Sequence, residues 1–366
     1  MIPLTVATML LTAALRPGGA EQQHVATGWQ ATGTVSKPAW RFGERRSTEL
    51  NRSARGTRLF ARGSFWNRRL APAARLDPSS AALVYALAAE VQRELTAGIW
   101  PWIATGDGST PLYRVGRRQA RVPVRLERRH LHGGEALQRA FASVPIPRDA
   151  QPAAGADRHM TVWQPSKDSL WEFFGASRDP DGWHTLWGGA IRRVSKSRGY
   201  YGRRAWPGAT SNWGATASSL PVIGGTMLLA ELNAGRIGHA LAINVPAARG
   251  GVFTWPAQRT DGTGPATALP EGARLRLDPG LKIAKLRLPK LTRMIAVAAQ
   301  RYGMVVRDQT RHAISLFGED PSRFPPGVFS KHYRGKTPAQ LLARFPWNRL
   351  QVLEMHLCSR PPCRRH

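Results

Sequence analysis

Two stretches of the chain repeat apolar residues at helical spacing. In the first, Leu83, Leu87, Val91 and Leu95 fall on one face, after Asp77, Pro78, Ser79 and Ser80. Asp77 is placed to cap this helix, and Pro78 suits a first turn that needs no backbone N–H. In the second, Leu291, Ile295, Ala298 and Tyr302 share a face over 289–302, and Gly303 follows as a terminator. Two shorter helices are expected, one over 226–233 ended by Gly235 and one opened by Thr337 and Pro338.

Most of the remaining apolar positions form short runs. Segments 112–115, 122–126, 188–194 and 304–307 read as strands, and Arg274-Leu275-Arg276-Leu277 alternates as a half-buried strand does. Segments 160–164 and 170–174 flank a Pro-Ser-Lys-Asp-Ser turn and predict a hairpin. Segments 240–245 and 252–255 predict a second hairpin around 247–250. No strand–helix–strand rhythm is sustained. The expected fold is mainly β, a β-sandwich or jelly-roll-like domain decorated with about four helices.

The ends of the chain read differently. Residues 2–15 are mostly apolar, and Gly18 and Ala20 have the spacing of a signal-peptidase site, although no basic residue precedes the run. The expectation is an export signal over 1–20 and a secreted or extracytoplasmic protein; an apolar start with no such role is the alternative. Residues 21–60 are polar and Arg-rich and read as a basic flexible segment. A single β-rich domain is expected over 61–357, followed by a tail, 358–366, that holds the two cysteines, Cys358 and Cys363. In an exported protein these close a small disulfide loop; otherwise they are free thiols, and their spacing is not that of a zinc site. No apolar run reaches the roughly 18 residues of a membrane span.

Charge narrows the partners. The 366 residues carry 53 basic and 23 acidic side chains, a formal net charge of +30, and 45 of the basic ones are Arg. The excess is clustered: +9 over 37–75, +6 over 114–129, +6 over 192–204 and +5 over 282–293. Such a field attracts polyanions, although Arg richness alongside Ala, Gly and Pro also fits compositional bias. No C2H2 spacing, basic-region heptad or RNA-binding aromatic pair is present, so specific nucleic-acid recognition is not expected. A polysaccharide or other polyanion is the expected partner, and a monomer the expected state.

From Phe65 onward, several pieces resemble a family of secreted, largely uncharacterised bacterial proteins, mainly actinobacterial. They are Phe65-Trp66-Asn67 with Asp77-Pro78, Asp157-Arg158-His159 before Leu170-Trp171-Glu172-Phe173, Asp181-Gly182-Trp183, Leu220-Pro221, the run from Gly235 to Leu241, Trp255-Pro256-Ala257, and Gln300 to Met304 with Asp308. The resemblance spans about 65–357. Relatives of this kind often occur beside carbohydrate-binding modules, which implies a carbohydrate setting. It implies no catalytic assignment.

The densest candidate chemistry is Asp157, Arg158 and His159 with Glu172. If the first hairpin forms, His159 and Glu172 approach on adjoining strands, and a histidine oriented by a carboxylate is a competent general base. Arg158 would then hold a substrate carboxylate. The alternative is an Arg158–Glu172 ion pair across the strands with His159 a core residue. Glu172 with Asp157 or Asp308 is the best carboxylate pair for glycoside hydrolysis. Elimination on a uronate instead needs a base and a cation, for which Arg158, His159 and Tyr302 are candidates.

His239 stands at a strand entrance, and Asp261 lies in a Gly-rich loop, where it is either a turn-former or a calcium or sugar ligand. Trp163, Trp171, Trp183, Trp187, Trp206 and Trp213 crowd one region; they are either core or sugar-stacking faces. Residues 197–213 have no apolar period and are expected to form an exposed, ligand-contacting loop with Tyr201, Trp206 and Trp213. No phosphate loop, HExxH or GxSxG is present, and neither cofactor nor metal is expected.

Overall fold

The computed structural model describes residues 58–106, 108–310 and 313–364. The expected export signal and nearly all of the basic segment lie outside the described residues.

The largest sheet has six strands in the order β1 (Trp102–Ala104), β13 (Ser315–Phe317), β9 (Leu241–Val245), β12 (Met304–Gln309), β11 (Arg274–Leu277) and β14 (Leu350–Val352). β9 and β12 run parallel, and β13 and β11 flank them antiparallel. A four-stranded sheet orders β2 (Leu112–Arg114), β4 (Met160–Gln164), β5 (Ser169–Phe174) and β8 (Trp187–Arg192). The expected first hairpin is its centre, with Thr161 opposite Glu172. A three-stranded sheet holds β3 (Val124–Leu126), β7 (Gly182–Thr185) and β6 (Ser177–Asp179), and β10 (Phe253–Thr254) pairs with β15 (Leu357–Cys358).

The helices among the described residues are α1 (Ser80–Ala97), α2 (Gly134–Phe141), α3 (Leu229–Asn233), α4 (Lys290–Arg301), α5 (Ser330–Tyr333) and α6 (Pro338–Leu342). None is long and apolar enough to cross a membrane. The chain is thus built of β-rich sheets with helices.

Successive residues of the six-stranded sheet serve different cores. Ala104, Ala242, Val305 and Phe317 join one cluster with Val162, Leu170, Trp171 and Phe173 of the four-stranded sheet. Ile103, Ile243, Met304, Val306 and Leu316 join another with Leu83, Leu87 and Val91 of α1 and Leu291, Ile295 and Ala298 of α4. Side chains alternate across a strand, so a sheet covered on both faces needs apolar residues at every position. That explains why Leu241, Ala242, Ile243 and Val245 of β9 are apolar and buried, with only the half-buried Asn244 breaking the run.

Two local expectations need correction. β9 does not form a hairpin with β10: both edges of β9 are taken by β12 and β13, and Phe253 pairs with Cys358 instead. At α1, the N-cap position is held by Ser79, and the Asp77 carboxylate accepts from the Ser79 N–H just outside the helix at 2.9 Å.

Candidate functional site

Beyond β8 the chain leaves the sheet and runs without regular structure from 197 to 226. It is nevertheless pinned. The Ser195 N–H and hydroxyl both donate to the Asp168 carboxylate, at 2.8 and 2.6 Å. The Trp66 indole donates to the Gly199 carbonyl at 2.9 Å. Gly199 adopts φ +86° with Trp66 so close that a Cβ would sit 2.5 Å from the ring, so only glycine fits. Tyr201, Ala205, Ala209 and Trp213 turn inward and are buried, which leaves the polar positions between them outward.

These outward residues line a groove of about 1310 Å³. One limb contributes Arg192, Arg193, Lys196 and Arg198; the next contributes Arg203 and Arg204; the C-terminal tail contributes Arg364. No Asp or Glu lines the groove, and among the described residues none of these seven cations forms an ion pair. Three half-buried rings, Tyr200, Trp206 and Trp255, lie among them. The Arg192 guanidinium sits 6.0 Å from the Trp206 ring, and Tyr200 meets Trp255 edge-on at 6.3 Å.

The tail is held in place. Cys358 and Cys363 stand at disulfide distance, with Cα atoms 5.8 Å apart. Gln258 donates to the Cys363 carbonyl at 2.9 Å and accepts from its N–H at 3.1 Å. Cys363 is buried against Phe253 and Ala257. Residues 358–364 therefore pack on the domain as one wall of the groove.

The constellation around Glu172 lies elsewhere, inside the core. Glu172 is fully buried and accepts from the Tyr201 hydroxyl at 2.9 Å and from the Val222 and Ile223 N–H groups at 3.0 and 2.9 Å. Burial pushes its pKa up to about 7, against these donors and the Arg307 guanidinium, which pull it down. His159 is also buried, and its Nε2 meets the Ala215 carbonyl at 3.1 Å rather than Glu172. Burial holds the His159 pKa below its ordinary value. Arg158 is exposed and forms no ion pair with Glu172, and Asp157 is half-buried beside the hairpin.

Arg307 is the hidden centre of this region. Register shifts by one between Val306 and Asp308, so Arg307 is the extra residue of a β-bulge. Its guanidinium lies 3.7 Å over the Phe317 ring, donates to the Val222 carbonyl, and leaves Nε without a partner. Burial lowers its pKa to about 10.

Of the other candidates, Trp206 lines the groove. Tyr201 and Trp213 are buried beneath it, the Trp213 indole donating to the Gly133 carbonyl at 3.0 Å. Trp183 is buried on β7. Tyr302 is half-buried at the end of α4, its carbonyl accepting from Arg274. Both ring nitrogens of His239 face acceptors, Ala240 O at 2.8 Å and Glu231 Oε2 at 2.9 Å, which only the imidazolium satisfies. Burial alone would lower the His239 pKa, but the Glu231 carboxylate reverses the sign and raises it.

Asp308, Asp261 and Glu271 meet at the exit of β12, each offering a carboxylate oxygen within 4.8 Å of the others. Burial, together with the neighbouring carboxylates, raises Glu271 well above its ordinary value and brings Asp308 to about 7. No sequence signal marks Glu271, a lone acid in a Pro-Glu-Gly turn. The cluster over 192–204 marks six of the groove's cations, but only the folded tail adds Arg364. Comparison of the chain with protein-family models, curated proteins and solved structures returns no match.

Proposed function

We propose that the protein is an exported, monomeric polyanion-binding protein whose ligand is an acidic polysaccharide, held in the groove without being cleaved. The observation that carries this reading is the lining itself: seven cations and three aromatic rings, with no carboxylate. Anionic groups would be drawn by the guanidinium field, and Arg presents paired donors that match a uronate carboxylate or a sulfate. The half-buried rings offer flat faces to sugar rings. The cysteine pair on the groove wall favours an oxidising compartment, where acidic polysaccharides are the abundant polyanions.

Binding is favoured over hydrolysis because Glu172 and His159 are sealed in the core and no acid reaches the groove. Membership of the secreted actinobacterial family that the motifs resemble belongs to the same proposal, as does a sandwich-like pairing of the four- and six-stranded sheets that share a core.

The test is to pass the full chain over immobilised polygalacturonate, alginate, heparin and a neutral glucan, and to follow the absorbance of unsaturated uronate with the soluble polymers. Salt-sensitive retention on the acidic polymers, none on the glucan, and no new absorbance are expected. Unsaturated product would overturn the non-catalytic part and direct attention to His132 and Tyr200, which line the groove with the arginines. Retention on duplex DNA alone would overturn the polysaccharide reading.

A further inference from the structure

The three carboxylates at the exit of β12 come from three separate chain segments, each fixed by its own contacts. Asp308 follows the β12 bulge; its Oδ2 accepts from the Ala217 N–H at 3.1 Å and its Oδ1 from the Gln309 N–H at 3.0 Å. Glu271 is placed by the Thr254 N–H, which donates to its carbonyl at 2.9 Å. It is placed also by Gly272, whose φ of +85° lets the chain pass where a Cβ would lie 1.8 Å from the Thr254 carbonyl oxygen. Asp261 stands on a loop that Gln309 clasps, its Nε2 donating to the Asp261 carbonyl at 3.1 Å and its Oε1 accepting from the Thr263 N–H at 3.3 Å.

A second observation is independent of the clustering. The Glu271 side chain is fully buried, and neither of its oxygens receives a hydrogen bond of normal geometry, although Thr260 lies near enough to act on it. Buried carboxylates are almost always hydrogen-bonded, paired or bound to a metal. Arg259 acts electrostatically on all three carboxylates but hydrogen-bonds to none of them: its Nε donates to the Ser219 hydroxyl and its Nη2 to the Gly214 and Thr216 carbonyls. Three carboxylate oxygens within 4.8 Å repel one another unless a cation or protons intervene. Asp261 is exposed, so the trio opens to solvent on one side.

We propose that Glu271, Asp308 and Asp261 bind one hard divalent cation, of the Ca²⁺ type, with water completing its shell. All three donors are oxygens, as such ions require, and there is neither nitrogen nor sulfur to select zinc or copper. The cation ties the 261–264 loop and the turn before β11 to the end of β12. This site does not depend on the polyanion reading: none of its three carboxylates lines the groove.

The test uses the full chain stripped with a chelator and titrated with CaCl₂, then MgCl₂, by calorimetry, with thermal unfolding followed in parallel. One saturable site is expected, with a melting temperature that rises as the cation is added. Glu271→Gln and Asp308→Asn should each weaken binding by about tenfold or more. Asp261→Asn, on an exposed side chain that leaves the core intact, should weaken it as well. Without cation, Glu271→Gln should melt higher than the wild type, because it removes the repulsion. Arg203→Glu, in the groove, should bind the cation as the wild type does. Absence of saturable binding to both cations would overturn the proposal, as would binding that all three carboxamide variants retain unchanged, or binding to Zn²⁺ only.

Discussion

The Tyr201 hydroxyl donates to Glu172 Oε2 at 2.9 Å, joining the groove loop to the centre of the four-stranded sheet. The same carboxylate accepts the Val222 and Ile223 N–H groups, so one side chain clamps two segments of irregular backbone. A buried acid with all its donors inside the protein is a structural clamp first. Glu172→Ala should cost about 3–5 kcal/mol, because it strands two buried backbone donors and a phenol. Tyr201→Phe, which removes one hydrogen bond, should cost about 1–2 kcal/mol. Urea denaturation measures both, and neither variant should gain or lose any polymer-cleaving activity.

Gly189 lies under the same clamp. A Cβ there would sit 2.4 Å from two ring carbons of Tyr201 and 2.8 Å from its hydroxyl. Gly189→Ala should displace the ring and lose the Glu172 hydrogen bond, destabilising the fold by more than Tyr201→Phe does. Comparing the two urea midpoints is the check.

Glu172 and Glu319 are both buried, and burial brings the pKa of each to about 7, from about 4.5 in the open chain. Between these values the folded protein holds protons that the unfolded chain has released. Stability from these two groups therefore falls as pH rises from about 4.5 to 7, by up to about 1.4 kcal/mol per pH unit for each group. The Glu172→Gln, Glu319→Gln double variant should show a flatter pH profile of unfolding free energy than the wild type. Identical profiles would show that the two groups ionise normally.

Groove binding should depend on salt in proportion to the cations that touch the polymer. On a log–log plot, Arg203→Glu with Arg204→Glu should reduce the slope by about one per lost contact. Trp206→Ala should weaken retention at every salt concentration while leaving the slope unchanged, because a stacking face carries no charge. A slope unmoved by the Arg changes would place the binding surface elsewhere.

The cysteine pair closes a short loop, so Cys358→Ser with Cys363→Ser should cost about 2 kcal/mol. It should also loosen the wall that carries Arg364 and so weaken polymer retention at low salt. Adding reductant to the wild type should reproduce the effect.

Much of the scaffold was legible in the chain because its signals are local. The apolar faces of α1 and α4 repeat within a few residues, and the β4–β5 hairpin needs only two apolar runs and a turn; the structure has all three. α2 escaped because eight residues with two large apolar side chains, Leu137 and Phe141, make too short a period. Local alternation predicts a β9–β10 hairpin that does not form, because it says nothing about which neighbours take a strand's edges.

The sequence by itself determined the helical faces, the apolar strands, the Arg clusters and the closeness of the two cysteines, all properties of a few successive residues. Only the tertiary structure decided what those residues do together. It buried Glu172 and His159 away from solvent, brought Arg364 to the groove that Arg192 lines, and set Glu271 near Asp308. The reason is physical: burial and charge proximity depend on contacts between segments tens to hundreds of residues apart, and no short window of sequence contains both partners.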